Sequence, residues 1–115
     1  MAASEANPEG REVLLVEDDP DTLASLTVVL EGEGWRVHEA ATIATGLAAL
    51  KQHRLDAVVT DERLPDGKGS VFLRLVAALQ PDARRVLYTA QEPDVAGLYR
   101  LVRKPSVDRL IASLG

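Results

Sequence analysis

Two aliphatic runs in this chain stop abruptly on carboxylates. Residues 13–16 (VLLV) lead directly into Glu17 and Asp18, and residues 57–60 (AVVT) lead into Asp61. Aliphatic runs of this length with polar neighbours predict parallel strands that are buried on both faces of a sheet. Such sheets bind ligands outside the carboxyl ends of their strands. Because carboxylates gathered at one edge repel one another unless a cation lies among them, the pattern predicts a divalent metal site.

Length, charge and cysteine content narrow the class of protein. The chain of 115 residues is long enough for one domain with its own core and too short for a second. A net charge of −5 argues against nucleic acid as a direct partner. We expect no membrane insertion, because no apolar run approaches the length of a membrane span. The absence of cysteine argues against a disulfide framework and a thiolate metal site, so we expect a cytoplasmic protein.

Strand and helix patterns alternate along the chain, and this alternation is typical of a doubly wound α/β fold. We expect residues 1–11 to form a flexible tail, because Pro8 and Gly10 interrupt a small polar segment, and we place the domain in residues 12–115. The predicted strands are residues 13–16, 35–40, 56–60, 85–88 and 98–102. The predicted helices follow N-caps at Asp19, Thr42, Ser70 and Ser106.

Polar residues also follow the later predicted strands. Thr89 comes directly after the fourth strand, and Lys104 with Pro105 follows the fifth. In the strand order 2-1-3-4-5 these residues and the carboxylates share one edge of the sheet. The stretches VLLVEDDP, DAVVTDERLPDGKG, VLYTA and RKP resemble the receiver domains of response regulators in two-component signalling. The resemblance covers the chain from about Glu12 onward and implies the CheY-like, or flavodoxin-like, fold with a five-stranded parallel sheet.

The resemblance implies a role for three residues at this edge. Asp61 corresponds to the phosphoacceptor, since Pro65 and Gly69 follow it at the family's offsets. Thr89 corresponds to the switch hydroxyl, and Lys104 corresponds to the lysine that pairs with the phosphoryl group.

The same resemblance implies a Mg²⁺ site. Asp18 is expected to be a direct ligand and Glu17 to act through a water molecule. Asp61 and the backbone carbonyl of Arg63 would complete the protein's share of the coordination. Mg²⁺ favours such a set, because it keeps several waters and binds few carboxylates. Asp19 is assigned to the N-cap of the first helix instead of the metal.

A phosphoacceptor receiver is therefore the leading hypothesis. Asp61 would take a phosphoryl group from a sensor histidine kinase or a phosphotransfer protein, with Mg²⁺ neutralising the added charge. The phosphorylated domain would then switch a protein partner that the sequence does not identify. We do not expect the protein to be an enzyme, because such a domain promotes only its own phosphorylation and dephosphorylation.

Two other functions stay open at this point. The chain is alternatively a receiver-like interaction module that binds its partner without phosphorylation. A Mg²⁺-dependent phosphatase of the haloacid-dehalogenase type, which uses an aspartyl nucleophile, is the other possibility. Those enzymes carry a second acid two residues after the nucleophile, where this chain has Arg63.

The segment between Thr89 and Lys104 departs from the family pattern. It spans 15 positions (104 − 89), which is too few for a three-turn helix and a strand. We therefore expect the fourth helix, within residues 90–98, to be shortened or missing. The family often places an aromatic residue three positions before the lysine, and this chain has Leu101 there. Tyr99 precedes Leu101 by two positions and is expected on the same side of the strand.

The chain has two histidines, His38 and His53. Neither has a partner histidine at metal-ligand spacing in the sequence, and we interpret both as surface residues. A phosphorelay histidine within this chain is therefore not expected.

Overall fold

The computed structural model describes residues 10–115, which form a parallel sheet with helices on both faces. The strands of this sheet are β1 (Glu12–Val16), β2 (Arg36–Ala40), β3 (Ala57–Thr60), β6 (Arg84–Thr89) and β7 (Arg100–Arg103). A small antiparallel hairpin after β3 contains β4 (Arg63–Leu64) and β5 (Gly67–Lys68). The helices are α1 (Pro20–Gly32), α2 (Ile43–Gln52), α3 (Gly69–Leu79) and α4 (Val107–Leu114).

The strand order in the sheet is β2-β1-β3-β6-β7, and all neighbouring pairs are parallel. Since β6 and β7 are the fourth and fifth strands of the sheet, the predicted order 2-1-3-4-5 is confirmed. The order reverses between β1 and β3, which are adjacent in the sheet although α1, β2 and α2 lie between them in the chain. The carboxyl ends of β1 and β3 therefore flank the point where a ligand site is expected in such a fold.

The central strand β1 is covered on both faces, as its continuous aliphatic run predicts. Its residues alternate between two hydrophobic clusters, one on each side of the sheet. On the side of α1 and α4, the cluster includes Val13, Leu15, Leu26, Leu30, Leu110 and Leu114. On the side of α2 and α3, the cluster includes Leu14, Val16, Leu50, Phe72, Leu73 and Val76. This double coverage fixes β1 in place, and the acids at its end with it.

Three of the predicted helix starts are confirmed. Ser106 occupies the N-cap position of α4, which begins at Val107, although its side chain makes no capping hydrogen bond. The carboxylate of Asp19 accepts a hydrogen bond from the Thr22 amide and caps α1, which begins at Pro20. A hydrogen bond from the Thr22 hydroxyl, together with the one from the Thr22 amide, lowers the pKa of Asp19. Thr42 caps α2 in a reciprocal arrangement with Thr45.

The predicted start of the third helix is wrong. Ser70 lies inside α3, which begins at Gly69 after an N-cap at Lys68. The Ser70 hydroxyl binds Glu62, so it is not available for the cap. The fifth strand also begins later than predicted, at Arg100, because residues 98–99 belong to the preceding connection.

Residues 1–9 of the predicted tail lie outside the described residues. Arg11 contacts the domain: its guanidinium donates to the carbonyl of Leu114 over 2.7 Å and lies 4.2 Å from the ring centre of Trp35. Within residues 10–115, no helix follows β6 before β7 begins, so the predicted loss of the fourth helix is confirmed. None of the helices in this part of the chain is long and apolar enough to cross a membrane.

Candidate functional site

The polar residues singled out in the sequence meet at one edge of the sheet. Glu17 and Asp18 follow the last residue of β1, and Asp61 follows the last residue of β3. Thr89, which was predicted to follow the fourth strand, is the last residue of β6. Lys104 follows β7. Val16 pairs with Thr60 and Thr89 pairs with Arg103, so the strand ends adjoin one another, and the five residues line a single cavity of about 260 Å³.

Lys104 bridges two of the acids. Its ammonium group donates to Oε1 of Glu17 and to Oδ2 of Asp61, each over 2.8 Å. The side chain of Glu17 is 3% exposed and that of Asp61 is 13% exposed. Burial lowers the pKa of Lys104, but its hydrogen bonds and charge attraction to the two carboxylates outweigh this effect and raise it overall. Lys104 therefore stays protonated and partly neutralises an acidic site.

The backbone around Asp61 is fixed closely. Its amide donates to the carbonyl of Val16 in β1, and its Oδ1 accepts a hydrogen bond of 2.6 Å from the Glu62 amide. A Cβ at Gly69 would lie 1.9 Å from the carbonyl oxygen of Asp61. Only glycine therefore fits where α3 begins. This close approach gives a physical reason for the glycine eight positions after Asp61.

Three carboxylates form a group that has the right chemistry for a hard divalent cation. Glu17, Asp18 and Asp61 each offer an oxygen, and these oxygens lie within 4.8 Å of one another. Oxygen donors with two or more negative charges suit Mg²⁺, which needs only a few protein ligands. Asp18 is exposed to solvent, whereas Glu17 is buried and already bound by Lys104 and by the amide of Asp19. Asp18 is thus the more accessible ligand of the two.

The outer wall of the cavity contains residues from two different connections. Arg63 lies after β3 and Gln91 lies after β6, and the Arg63 guanidinium donates to the Gln91 side-chain oxygen over 3.3 Å. The amide of Gln91 also donates to the hydroxyl oxygen of Thr89 over 3.1 Å. Thr89 is fully buried at the base of the cavity. A larger cavity of about 460 Å³ lies near His53 at the C-terminal end of α2 and lacks these acids.

Glu62 is a buried residue beside the site that was not predicted from the sequence. It is 2% exposed, and its carboxylate accepts hydrogen bonds from the amide and the hydroxyl of Ser70, over 2.7 and 2.9 Å. The same carboxylate accepts a hydrogen bond from the amide of Asp94. In the structure the buried residues Thr60, Glu62 and Leu64 alternate with exposed or half-exposed ones, but the sequence gives no signal for Glu62, because a charged residue between Asp61 and Arg63 is typical of an exposed turn.

In place of the missing helix, residues 90–99 form an irregular connection that other elements hold in place. Helical hydrogen bonds are absent from this described segment, so its backbone groups need other partners. Side chains supply them to the Asp94 amide (Glu62), the Val95 amide (Ser70) and the carbonyls of Gln91 (Arg103), Ala96 (Arg74) and Leu98 (Arg85). The segment is therefore fixed by contacts with α3, β6, β7 and the residue next to Asp61.

The aromatic residue near β7 is too far from Thr89 to couple to it directly. Thr89 pairs with Arg103 and Val86 pairs with Arg100, so Tyr99 lies at least about 10 Å down the sheet. The Tyr99 hydroxyl instead donates to the carbonyl of Val95 over 2.8 Å. Burial raises the pKa of Tyr99. Leu101 is 39% exposed.

Comparisons with known proteins agree with this architecture. The sequence model of the family described as response regulator receiver domain matches residues 13–113. The KDP operon transcriptional regulatory protein KdpE of Escherichia coli is 42% identical over 62 residues, which are 54% of this chain and 28% of that protein. The probable transcriptional regulatory protein TcrX of Mycobacterium tuberculosis is 34% identical over 89 residues, or 75% of this chain and 38% of that protein.

A solved structure extends the comparison to the whole fold. The CheY-like response regulator receiver domain protein of Methanospirillum hungatei superposes with a TM-score of 0.83 at 28% identity. The match covers 90% of each chain. This chain spans well under half the length of the two transcriptional regulatory proteins, so the similarity concerns one part of each.

Proposed function

The chain belongs to the response regulator receiver domain family, and from that premise we propose that it accepts a phosphoryl group on Asp61. The donor would be the phosphohistidine of a sensor histidine kinase or of a phosphotransfer protein. The proposal depends most on one observation: Lys104 donates to Asp61 at a strand end that two further acids share. An isolated aspartate after a strand is commonly a turn residue. An aspartate with this charged environment is suited to phosphoryl chemistry.

Each residue of the site would have a separate role in the phosphoryl transfer. One carboxylate oxygen of Asp61 attacks phosphorus, and the bond from phosphorus to the donor's imidazole nitrogen breaks. The Glu62 amide holds Oδ1 and Lys104 holds Oδ2, so the carboxylate is oriented before the donor arrives. The ammonium group of Lys104 would pair with a phosphoryl oxygen after transfer. Thr89 would donate its hydroxyl to another phosphoryl oxygen.

We propose Mg²⁺ as the cofactor. Asp18 and Asp61 would bind it directly, Glu17 would act through a water molecule, and the backbone carbonyl of Arg63 would add a further ligand. The three carboxylates fit such an ion because their oxygens lie within 4.8 Å of one another. When bound, Mg²⁺ neutralises charge on the transferring group and on the acids around it.

The output of the domain is also part of the proposal. KdpE and TcrX are transcriptional regulatory proteins. We propose by analogy that this chain switches a protein partner, or a further domain, in a cytoplasmic signalling system. Phosphorylation would act on residues 90–99, because Glu62, which directly follows Asp61, accepts a hydrogen bond from the Asp94 amide. A receiver-like module that works without phosphorylation is the less favoured alternative, because it needs neither the bridging lysine nor the acid group.

Beryllofluoride, which imitates a bound phosphoryl group, separates the two functions. We expect Mg²⁺ and beryllofluoride together to shift the amide NMR signals of residues 89–92 and Asp94, and neither to do so fully alone. Asp61→Asn should abolish the response to beryllofluoride. Asp66→Asn is the matched control: Asp66 lies in the same connection, and its carboxylate accepts hydrogen bonds from the amides of Ile43 and Ala44, outside the cavity. A wild-type protein without any response would support the constitutive binding module.

A further inference from the structure

The structure brings the two histidines of the chain together with a carboxylate. The rings of His38 and His53 stack with their centres 4.0 Å apart and their planes 22° from parallel. Nε2 of His38 lies 2.8 Å from Oε1 of Glu12. Both histidines are half-buried, so the interpretation of them as surface residues without a partner is wrong. The topology explains the encounter, because β2 lies beside β1 and α2 covers the face that they share.

All three side chains are carried by firmly held backbone. His38 is in the middle of β2 and pairs with Leu14 of β1. The amide of Glu12 donates to a carboxylate oxygen of Asp56 over 2.7 Å, and its carbonyl accepts from the Asp56 amide over 2.8 Å. His53 caps the end of α2, where its amide donates to Ala49. Side chains on regular elements and fixed caps are well placed to form a precise site.

The carbonyl of His53 is held as well. It accepts a hydrogen bond of 2.7 Å from the side-chain amide of Gln80, which also donates to the carbonyl of Leu50 over 2.9 Å. Gln80 thus ties the end of α2 to the end of α3. The ring of His53 is consequently presented from a backbone that three hydrogen bonds restrain.

We propose that Glu12, His38 and His53 form a second metal site, which takes Zn²⁺ or a similar transition-metal ion. One nitrogen from each imidazole and one carboxylate oxygen lie within 4.8 Å of one another. Two histidines and one carboxylate are a ligand set that zinc uses when a fourth position is left for water. His38 pairs with Leu14, three residues before Glu17, so the cluster lies at least about 10 Å along the sheet from the acids at the end of β1. It is therefore separate from the phosphorylation site.

Ligand chemistry distinguishes the two sites of the chain. Imidazole nitrogen suits zinc, nickel and copper, whereas carboxylate and water oxygens suit magnesium. Zn²⁺ bound to three such ligands at normal bond lengths would hold the ligand atoms about 3.3 Å apart. The side chains of His38 and Glu12 are 20% and 28% exposed. They therefore have room to open their present contact. Because an imidazole nitrogen binds a metal in the plane of its ring, metal binding also requires at least one of the stacked rings to rotate out of its present near-parallel orientation.

The carboxylate of Asp56 adds to the attraction for a cation. It accepts the hydrogen bond from the Glu12 amide and so lies beside the cluster without being part of it. A cation in the cluster would be attracted by both Glu12 and Asp56. The imidazole rings would bind in their neutral form, since the metal takes the place of a proton.

The test is a titration of the full chain, without an affinity tag, with Zn²⁺. Because the chain has two histidines, imidazole NMR signals report on this cluster alone. We expect both rings to respond together and to saturate at one equivalent of Zn²⁺, with no comparable response to Mg²⁺. His53→Gln should weaken the binding by about tenfold or more, because one of three protein ligands is lost. Asp18→Asn, which removes a ligand of the other proposed site, should leave the Zn²⁺ titration unchanged.

Two results would overturn the proposal. Zn²⁺ binding that Asp18→Asn abolishes and His53→Gln leaves intact would assign the ion to the acidic cavity. Imidazole signals of the wild-type chain that do not respond to excess Zn²⁺ would show that the stacked rings are packing alone. Thermal unfolding of each variant without metal gives the fold control. A second variant, His38→Gln, tests the same cluster from β2 should His53→Gln fail to fold.

Discussion

The carboxylate of Glu62 binds both the amide and the hydroxyl of Ser70, and it does so from the position next to Asp61. It also accepts a hydrogen bond from the amide of Asp94. One buried side chain thus joins the connection after β3, the start of α3 and the segment that replaces a helix. A structural change at Asp61 therefore has a short covalent and hydrogen-bonded route to residues 90–99.

Glu62→Gln should loosen this junction. An amide group cannot accept all the hydrogen bonds that the carboxylate accepts, and a buried donor left without a partner costs about 1–3 kcal/mol. We expect a loss of that size in urea unfolding and faster hydrogen exchange at the amides of Asp94 and Val95. Glu92→Gln is the control, since Glu92 is exposed and pairs with Arg103 at the surface, so its loss should change stability by less than about 0.5 kcal/mol. Unchanged exchange at Asp94 in Glu62→Gln would contradict the proposed junction.

Gly69→Ala should disturb the candidate site through the backbone. The added Cβ would meet the carbonyl oxygen of Asp61 at 1.9 Å, so the start of α3 must move away from it. We expect a loss of about 3 kcal/mol in unfolding free energy and weakened Mg²⁺ binding. Gly32→Ala is a matched control, because the same atom there meets nothing within 4 Å. An alanine at position 69 that is tolerated as well as one at position 32 would argue against the close approach.

Asp18 and Asp19 are adjacent but have different predicted roles. Asp18→Asn should weaken Mg²⁺ binding by about tenfold or more, because it removes a charged ligand. Asp19→Asn should weaken it far less, since Asp19 caps α1 instead of serving as a ligand and asparagine is an equally good N-cap. Isothermal titration of the two variants with Mg²⁺ makes the comparison. Equal losses in both would mean that Asp19 also belongs to the metal site.

Lys104→Met should separate metal binding from phosphorylation. Without the ammonium group, Glu17 and Asp61 have lost the cation that now bridges them, so Mg²⁺ should bind several-fold more tightly. Phosphorylation by acetyl phosphate should slow by at least about tenfold, because a donor to the transferring group is gone. Lys51→Met, at an exposed position on α2, should change neither quantity. A Lys104→Met variant that is phosphorylated at the wild-type rate would show that Lys104 has no role in the transfer.

The raised pKa of Lys104 also fixes the pH dependence of its contribution to stability. Attraction to the two acids is fully present below the ordinary lysine pKa of 10.5 and is lost as the pH rises through the higher folded value. The difference in unfolding free energy between the wild type and Lys104→Met should therefore be constant across the neutral range. It should shrink only at strongly alkaline pH. If this difference in unfolding free energy changed around neutral pH, a titrating group other than Lys104 would be responsible for it.

The fold and the edge that carries the acids were predictable from the sequence, because both are encoded locally. The aliphatic run of β1 and the acids that end it are adjacent in the chain, and the same is true of β3 with Asp61. The missing helix was predictable from the number of residues between Thr89 and Lys104. Spacing alone was sufficient for this inference.

Contacts between distant residues could not be predicted in the same way. Ser70 has the character of an N-cap, but tertiary contact with Glu62 takes its hydroxyl. His38 and His53 have no meaningful spacing in the sequence and meet only because α2 folds back over β1 and β2. Both cases depend on strand register and on helix placement, which side-chain patterns do not specify to the required accuracy.

Intact-mass spectrometry shows directly whether Asp61 is the phosphoacceptor. After incubation with acetyl phosphate and Mg²⁺, the wild-type chain should gain the mass of one phosphoryl group, and chelation of Mg²⁺ should prevent the gain. Asp61→Asn should gain none, whereas Asp66→Asn should behave like the wild type. An Asp61→Asn chain that still gains a phosphoryl group, or a wild-type chain that never does, would show that Asp61 is not the phosphoacceptor.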